Sequence, residues 1–361
     1  MIGQTSRSSR RKKKGIGNVE HVIVFKQPGR FGGWPANNGI WSWGDEIVTG
    51  FNEGALDLHK YPGHPIKGDE NSGKRQVRSL DGGMTWELIR KPHLEIHEMP
   101  LVNCPGGITF TQKDFAMKVL ATGVHAGSTT YFYVSYDRCT TWEGPYQMPF
   151  FGLKGIAGRT DYQVMGDHDA IVFLASNKSD GYEGRAFCAR TRDGGKSFQF
   201  LSWIGPELAG WTIMPASVRL PNGRLLAALR CNFRPEHGAQ VFSSDDEGCT
   251  WNYLSEPLKP DMGGNPPAMI RMTDGRLVLT WGHRVEPRGI RAFVSEDNGK
   301  TWTDPIILRE DGGASDVGYT RTVRRADGKI VTVYYFNDPP KEKGVNTERY
   351  IAATIWHPDE Y

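Results

Sequence analysis

The stretch Ser79-Leu80-Asp81-Gly82-Gly83-Met84-Thr85-Trp86 decides the fold, because its pattern S-x-D-x-G-x-T-W returns four more times along the chain. The later copies span residues 135–142, 191–198, 244–251 and 295–302, and the copy at 191–198 carries conservative changes. Their central aspartates, at positions 81, 137, 193, 246 and 297, are separated by 56, 56, 53 and 51 residues. Five copies at so regular a spacing predict a repeat architecture.

A second marker keeps the same period. The turn dipeptides Asn222-Gly223, Asp274-Gly275 and Asp327-Gly328 precede the strand-like runs LLAALR, LVLTWG and IVTVYYF. Glycine accepts the positive φ of a tight turn, and apolar residues after it favour a hairpin, so each period reads as a small antiparallel sheet of about four strands. Sheets repeated around an axis bury both faces and leave few exposed edges.

The fold prediction is therefore all-β: a six-bladed β-propeller of four-stranded antiparallel sheets, forming a single domain over residues 19–361. Five periods carry the octapeptide, and a sixth, from about Tyr319 to Trp356, has the Asp-Gly turn without it. By analogy with other propellers, we expect the strand-like segment His21 to Lys26 to complete the last blade and close the ring. We predict that the five repeated aspartates brace their own turns, because their side chains can accept backbone hydrogen bonds there.

Composition narrows the class of protein. The 361 residues contain 44 Lys plus Arg against 41 Asp plus Glu, but six of the positive charges lie within residues 1–14. We predict a basic flexible tail over residues 1–18, to which we assign no function and no nucleic-acid partner. No apolar run is long enough for a membrane span, and none follows the basic start as a secretory signal would, so we expect a cytoplasmic protein without a membrane partner. The five cysteines form no CxxC pair, and we predict no metal and no cofactor.

The five octapeptides resemble the Asp boxes of the sialidase (neuraminidase) superfamily, which occupy the turns between the third and fourth strands of a six-bladed propeller. This resemblance implies a glycan or glycoside substrate. In that family, three arginines hold the substrate carboxylate, a tyrosine paired with a glutamate is the nucleophile, and an aspartate is the acid/base. A neutral tyrosine suits this role because a carboxylate nucleophile would be repelled by the anionic sugar.

The resemblance assigns these roles to residues of this chain that occupy matching positions in the repeats. Arg230, at the end of LLAALR, resembles the second arginine, and Arg288, ahead of the fifth octapeptide, resembles the third, with Arg284 and Arg291 as alternatives. Tyr319, in GYTRTVRRADGKIVTVYYF, resembles the nucleophile.

Two positions depart from the family pattern. The Arg-Ile-Pro sequence that supplies the first arginine is replaced by Gly33-Trp34-Pro35, with Arg30 three residues earlier. The expected glutamate partner of the tyrosine is replaced by Met214. Without a base, a phenol is a poor nucleophile at neutral pH, so the sequence leaves sialidase activity itself open.

The loop from residue 53 to residue 75 corresponds to the one that carries the acid/base aspartate. Asp69 is the first candidate for proton donor and Asp57 the second; His64, His125, His168 and His283 are alternatives, because imidazole titrates near neutrality. Polar residues at strand ends that converge on the axis supply the remaining candidates for substrate binding: Arg30, Trp34, Arg159, His283 and Arg321.

These features predict an exo-glycosidase that acts on an anionic or modified sugar. Arginine suits a carboxylate, and tryptophan suits the face of a sugar ring. The alternatives are a noncatalytic carbohydrate-binding propeller and a polysaccharide lyase on the same fold. Linkage, sugar identity, stereochemical outcome and oligomeric state stay open.

Overall fold

The computed structural model describes residues 19–60, 63–89, 100–178, 180–181, 183–233, 237–259, 262–340, 342 and 345–361. The tail predicted over residues 1–18 lies outside these ranges. Within them, no helix is long and apolar enough to cross a membrane.

The described chain consists of antiparallel strands, interrupted by short 3-10 turns such as Pro35–Asn37. The first third of the chain forms β1 (Glu20–Phe25), β2 (Arg30–Gly33), β3 (Ile40–Trp43), β4 (Glu46–Leu56), β5 (Ile66–Lys67), β6 (Gly73–Ser79), β7 (Glu87–Ile89), β8 (Ala116–Ala121) and β9 (Thr130–Ser135). The middle forms β10 (Glu143–Gln147), β11 (Ile156–Gly166), β12 (Asp169–Asn177), β13 (Glu183–Thr191), β14 (Gln199–Trp203), β15 (Trp211–Arg219), β16 (Leu225–Asn232), β17 (His237–Ser244) and β18 (Asn252–Leu258). The last part forms β19 (Ala268–Arg271), β20 (Leu277–His283), β21 (Gly289–Ser295), β22 (Ile306–Arg309), β23 (Gly318–Arg324), β24 (Ile330–Phe336) and β25 (Tyr350–Trp356).

These strands form six sheets, taken one after another along the chain, and the prediction of a six-bladed β-propeller is confirmed. Blade 1 is built on β2, β4, β6 and β7, with β3 and β5 also paired to β4. The described part of blade 2 comprises β8, β9 and β10, and blades 3, 4 and 5 are the four-stranded sheets β11–β14, β15–β18 and β19–β22. Inner strands of successive blades contact one another, as β11, β15, β19 and β23 do in turn.

The ring closes by pairing its two ends. Strand β1 pairs antiparallel with β25, with Glu20 opposite Ile355 and Val22 opposite Ala353, and becomes the outermost strand of blade 6. This confirms the closure predicted from the sequence. Closure joins the first and last parts of the described chain in one sheet and gives blade 6 its fourth strand.

In blades 1, 3, 4 and 5 the Asp box joins the third and fourth strands, and in blade 2 it joins β9 to β10. Each box is held by its own side chains. In the first box, Asp81 Oδ1 accepts hydrogen bonds from Ser79 Oγ at 2.8 Å and from Thr85 N at 2.9 Å, and Asp81 Oδ2 accepts one from Thr85 Oγ1 at 2.6 Å. The other four boxes repeat the bond from the hydroxyl of the seventh residue at 2.6 Å. Gly83, at φ 92°, takes the left-handed conformation that the turn requires. The boxes are therefore a folding device, as the sequence indicated.

Apolar side chains fill the space between neighbouring blades. Between blades 4 and 5, for example, the rings of Trp281 and Phe293 stack at 4.3 Å among buried aliphatic residues such as Leu226 and Leu279. Packing of this kind fixes the angular position of each blade. The inner strands therefore present their polar ends around one axis.

Candidate functional site

Three inner strands distort where they approach the axis. Trp34, Met214 and Tyr319 have φ values of 57°, 53° and 50°, the left-handed region that non-glycine residues seldom adopt. The pairing register of the inner strands of blades 4 and 6 shifts at the same places. Such bulges re-aim side chains and are frequent beside functional sites, where backbone strain is retained because it positions a residue.

The distortion at Tyr319 is held by a buried amide. Asn265 Oδ1 accepts from Tyr319 N at 3.2 Å, and Asn265 Nδ2 donates to Val317 O at 2.7 Å. A Cβ on Gly318 would lie 2.7 Å from both Asn265 Nδ2 and the Cα of Gly282. Only glycine fits at position 318, and the Tyr319 side chain is thereby held at the axis.

Two arginines from different blades contact Tyr319. Arg230 Nη1 lies 3.4 Å from the Tyr319 hydroxyl, and the guanidinium carbons of Arg230 and Arg284 lie 5.8 and 5.7 Å from the centre of its ring. The Arg230 guanidinium also lies 4.9 Å from the ring of Trp211. Blades 4, 5 and 6 thus meet at Tyr319, and the sequence-predicted residues Arg230 and Tyr319 are brought together.

The two arginines differ in how their charge is compensated. Arg230 has no carboxylate within 4 Å among the described residues, and its Nε is buried without a hydrogen-bond partner there. Burial lowers the pKa of Arg230; Tyr319 opposes this effect, and the positive charges of Arg284 and Arg159 reinforce it.

Arg284, in contrast, is surrounded by partners. Its Nη2 donates to Tyr335 OH at 2.6 Å and lies 3.8 Å from Asp316 Oδ1, and its Nε donates to Val317 O at 3.1 Å. Burial acts to lower the pKa of Arg284, but Tyr335, Tyr319 and Asp316 together outweigh it and raise the pKa.

Asp316 connects Arg284 to blade 1. Its Oδ1 accepts from Tyr335 OH at 2.6 Å and lies 2.6 Å from His64 Nδ1, while its Oδ2 accepts from Arg349 Nε at 3.1 Å. Although burial acts to raise it, the pKa of Asp316 is lowered by His64 and by the arginines Arg284 and Arg349. The site therefore contains a buried, ionised carboxylate with four polar neighbours. The sequence analysis did not nominate it, although an acidic residue at the start of an inner strand was a usable signal.

Aromatic rings border the polar groups. Trp34 packs edge-on against His64 at 4.9 Å and against Phe31 at 5.0 Å, and Trp211 packs against His237 at 5.5 Å. Burial lowers the pKa of His237, with the charges of Arg230 and Arg284 acting in the same direction. His237 and Trp211 were missed from the sequence because neither lies in a recognisable motif.

Met214 occupies the position where the resemblance requires a glutamate. It is buried with Ile213, Ala36 and Ala175, and Tyr319 packs against the same cluster. The environment beside the Tyr319 ring is therefore apolar on this side. No carboxylate approaches Tyr319 from blade 4 within the part of the chain that the structure describes.

The structure places Asp69 in an ion-paired cluster with Arg30. Arg30 donates from Nε to Glu53 Oε1 at 2.7 Å and pairs through Nη1 with Asp69, while Arg75 Nε donates to Glu53 Oε2 at 2.6 Å. The hydrogen bond from Arg30, followed by that from Ser72, lowers the pKa of Asp69. Asp69 is thus held as an anion and is poorly suited to donate a proton. Its partner Arg30 is already engaged by two carboxylates.

The third arginine is also reassigned by its contacts. Arg288 pairs with Glu286 and reaches Gly313 O at 3.5 Å, and Arg291 donates to Pro287 O at 3.0 Å and to Arg309 O. Of the three alternatives that the sequence left open, Arg284 is the one that contacts Tyr319.

Arg321 spans the axis and ties three blades together. It donates from Nε to Ala36 O at 3.1 Å and from Nη2 to Thr160 O at 2.5 Å, and its Nη1 lies 3.7 Å from Asp161 Oδ2. These contacts tie blades 1, 3 and 6 together, and the Arg321 side chain lines the same cavity as Asp161. Asp161 lines a cavity of about 420 Å³ and accepts from Ser217 Oγ at 2.5 Å. Burial raises the pKa of Asp161 to about 6, against the opposing effects of Arg321 and Ser217.

Arg159 lies near enough to Arg230 for its charge to lower the pKa of Arg230. Its Nε donates to Asn37 Oδ1 at 3.2 Å, and its side chain lines a cavity of about 270 Å³. Burial, with help from Arg291, lowers the pKa of His283. His125 and His168 are bonded through Nδ1 to the carbonyls of Ala126 and Ile108. In the described ranges, no group of three or more His, Cys, Asp or Glu side chains is arranged to hold a metal ion.

Comparison with family models identifies residues 115–332 as a BNR repeat-like domain, and the chain belongs to that family. This match agrees with the resemblance drawn from the five repeated boxes. No curated protein matched the chain.

Solved structures show the same fold over almost the whole chain. A Dyadobacter fermentans protein of unknown function is 21% identical, with a TM-score of 0.70 over 93% of this chain and 98% of that one. The α-L-arabinofuranosidase of Fusarium graminearum is 12% identical, with a TM-score of 0.62 over 96% and 99%. The NanB sialidase of Streptococcus pneumoniae is 11% identical, with a TM-score of 0.63 over 94% and 71%. At these identities the likeness concerns the fold alone.

Proposed function

We propose that this protein is a glycoside hydrolase that removes an anionic sugar from the end of a glycan, with Arg230 and Arg284 binding the acidic group. The observation that carries the proposal is the unpaired charge of Arg230. A buried guanidinium without a counter-ion is costly, and an anionic ligand would supply the missing partner. The planar fork of a guanidinium matches the two oxygens of a carboxylate.

The surroundings of the two arginines suit a sugar. Trp34 and Trp211 flank the polar groups and offer flat apolar surfaces, while His64, His237 and Tyr319 offer hydrogen bonds. Binding sites of this kind combine apolar walls with a few polar groups that fix orientation. The names of two similar structures, a sialidase and an α-L-arabinofuranosidase, support an enzyme that acts on glycosides.

Tyr319 would lie next to the anomeric carbon once the carboxylate is bound between the arginines. Its hydroxyl faces the Arg230 guanidinium, which stabilises negative charge on the phenolic oxygen. Met214 stands where the resemblance expects a glutamate, so the phenolic proton would pass to water while Arg230 stabilises the phenolate that attacks the anomeric carbon. Sialic acid is one member of this class of acidic sugars, and the proposal does not single it out from the others.

The same observation supports a second candidate, a polysaccharide lyase for uronic acids. Arginines that neutralise a uronate carboxylate make the neighbouring carbon acid easier to deprotonate, and Tyr319 could take that proton. The scarcity of carboxylates near Tyr319 favours this candidate, since elimination does not need the carboxylate pair of most glycosidases.

A substrate panel tests the proposal. The purified protein is incubated with chromogenic glycosides of sialic, glucuronic and galacturonic acids, with neutral glucosides and arabinosides, and with polyuronates. We expect release of the chromophore from an acidic glycoside and from no neutral one. An unsaturated product absorbing in the ultraviolet would favour the lyase. Tight calorimetric binding of the acidic sugar without any product would show a noncatalytic binder and overturn the enzyme proposal.

A further inference from the structure

His64 lies at the mouth of the site with one ring nitrogen bound and the other unused. Its Nδ1 is 2.6 Å from Asp316 Oδ1, and its ring packs edge-on against Trp34 at 4.9 Å and Phe31 at 6.5 Å. The side chain is 37% exposed, and Nε2 has no hydrogen-bond partner among the described residues. Its orientation is therefore fixed on one side while Nε2 stays available to a ligand.

The partner sets the tautomer. Arg349 and Arg284 lie 3.1 and 3.8 Å from the two oxygens of Asp316, and the pKa of this carboxyl group is lowered, so it is ionised and can only accept hydrogen bonds. Tyr335 OH already donates to Asp316 Oδ1. His64 must therefore donate through Nδ1–H, which leaves a lone pair on Nε2 in the neutral ring and an N–H there in the charged ring.

The imidazole also lies near the proposed sugar-binding arginines. His64 Nδ1 and Arg284 Nη2 are both within 4 Å of Asp316 Oδ1, and Tyr335, bonded to the same oxygen, packs against Tyr319 at 5.8 Å. A sugar whose carboxylate is bound by Arg230 and Arg284 thus has His64 at its side. Asp69, ion-paired with Arg30, offers no competing proton donor in this loop.

We propose that His64 is the general acid/base of the reaction and that Asp316 is the positioning residue that orients its ring and stabilises the imidazolium. This inference rests on the proposed function, and it names the proton-transferring group that the family resemblance assigns to an aspartate.

The proton balance is simple. His64 Nε2–H gives its proton to the glycosidic oxygen as the bond from C1 to that oxygen breaks, and the bonding electron pair stays on the departing alcohol. The neutral imidazole then takes a proton from the water whose oxygen bonds to C1. His64 ends in its starting state, and one water has been added across the glycosidic bond.

Leaving-group dependence tests the inference. Turnover of para-nitrophenyl and methyl glycosides of glucuronic and sialic acids is measured for the wild type and for His64→Gln. Loss of a general acid should lower kcat/KM for the methyl glycoside about a hundredfold or more, but for the para-nitrophenyl glycoside less than about tenfold, because kcat/KM reports cleavage of the bond and nitrophenolate leaves without a proton. The exposed His59, in the same loop, gives the control His59→Gln, which should match the wild type.

Asp316→Asn tests the positioning role. An amide can turn its NH2 group towards Nδ1 and no longer fixes Nδ1 as the donor, so Asp316→Asn should lower kcat/KM for the methyl glycoside more than for the para-nitrophenyl glycoside, as His64→Gln does. Equal losses on both glycosides, or wild-type rates in His64→Gln, would overturn the role of His64 and leave the proposed function standing. A wild type that neither binds nor cleaves any acidic glycoside would overturn both.

Discussion

The Asp boxes and the axial mouth are built from similar residues in opposite ways. In each box an aspartate accepts hydrogen bonds from its own turn, and the same set of contacts recurs five times. At the mouth, Arg230, Arg284, Tyr319 and His64 come from four different blades, and each occurs once. Satisfied and repeated groups stabilise a fold, whereas a unique group whose charge is uncompensated, such as Arg230, is available to a ligand.

The largest expected effect comes from removing a charge at the mouth. For Arg230→Met and Arg284→Met, kcat/KM on the acidic glycoside should fall about a thousandfold, since each removes a charge-assisted contact worth about 4 kcal/mol in a desolvated site. The two variants should differ in stability. Arg230→Met removes no ion pair, so its unfolding free energy should equal or exceed that of the wild type.

Arg284→Met instead leaves Asp316 and Tyr335 short of a partner, which should cost about 2–3 kcal/mol of unfolding free energy. Steady-state kinetics and urea unfolding measure the two quantities on the same samples. Equal destabilisation by both substitutions would show that the charge of Arg230 is compensated within the fold. Arg230 would then not differ from the satisfied groups of the Asp boxes.

The same contrast explains what the sequence could predict. The boxes are local, so their pattern predicted the repeat and the blade number. Closure by the segment His21 to Lys26 was expected by analogy with other propellers, and the structure pairs Glu20–Phe25 with the last strand. The mouth is assembled from strands far apart in the chain, and only residues at matching blade positions, Arg230 and Tyr319, could be placed in advance. Arg284 and Arg288 are four residues apart in one loop. Which of them faces the axis depends on how that loop packs, and this packing leaves no recognisable pattern in the sequence. The ion pair between Arg30 and Asp69 is likewise a tertiary contact that the sequence does not reveal.

A box substitution should affect stability and spare activity. Asp297 accepts hydrogen bonds from Ser295, Lys300 and Thr301, and Asp297→Ala removes them together, which should cost about 3 kcal/mol of unfolding free energy. The exposed Asp304 gives the matched control Asp304→Ala, with an expected change below about 0.5 kcal/mol. Urea unfolding and kcat are measured for both. A loss of kcat in fully folded Asp297→Ala would contradict the separation of the boxes from the site.

The smallest expected effect is on the pH dependence of the unfolding free energy. This dependence has opposite signs for the box aspartates and for Asp161 near the axis. In Asp81 and Asp297, burial opposes the hydrogen bonds from the threonine, but the bonds prevail and lower the pKa from 3.8 to about 2. These groups contribute stability that is present above pH 4 and lost as the pH falls towards 2. Burial of Asp161 raises its pKa from 3.8 to about 6, so the folded state binds this proton more tightly than the unfolded state does.

Asp161 should therefore reduce stability progressively as the pH rises from about 4 to 6. In Asp161→Asn this loss is absent, so the variant should gain on the wild type across that window by about 2 kcal/mol and keep the gain at higher pH. For the control Asp81→Asn, the difference should have the opposite sign and develop between pH 2 and 4. Urea unfolding at half-unit pH steps measures both curves. A difference for Asp161→Asn that is flat between pH 4 and 6 would mean that Arg321, 3.7 Å away, compensates the buried carboxylate in full.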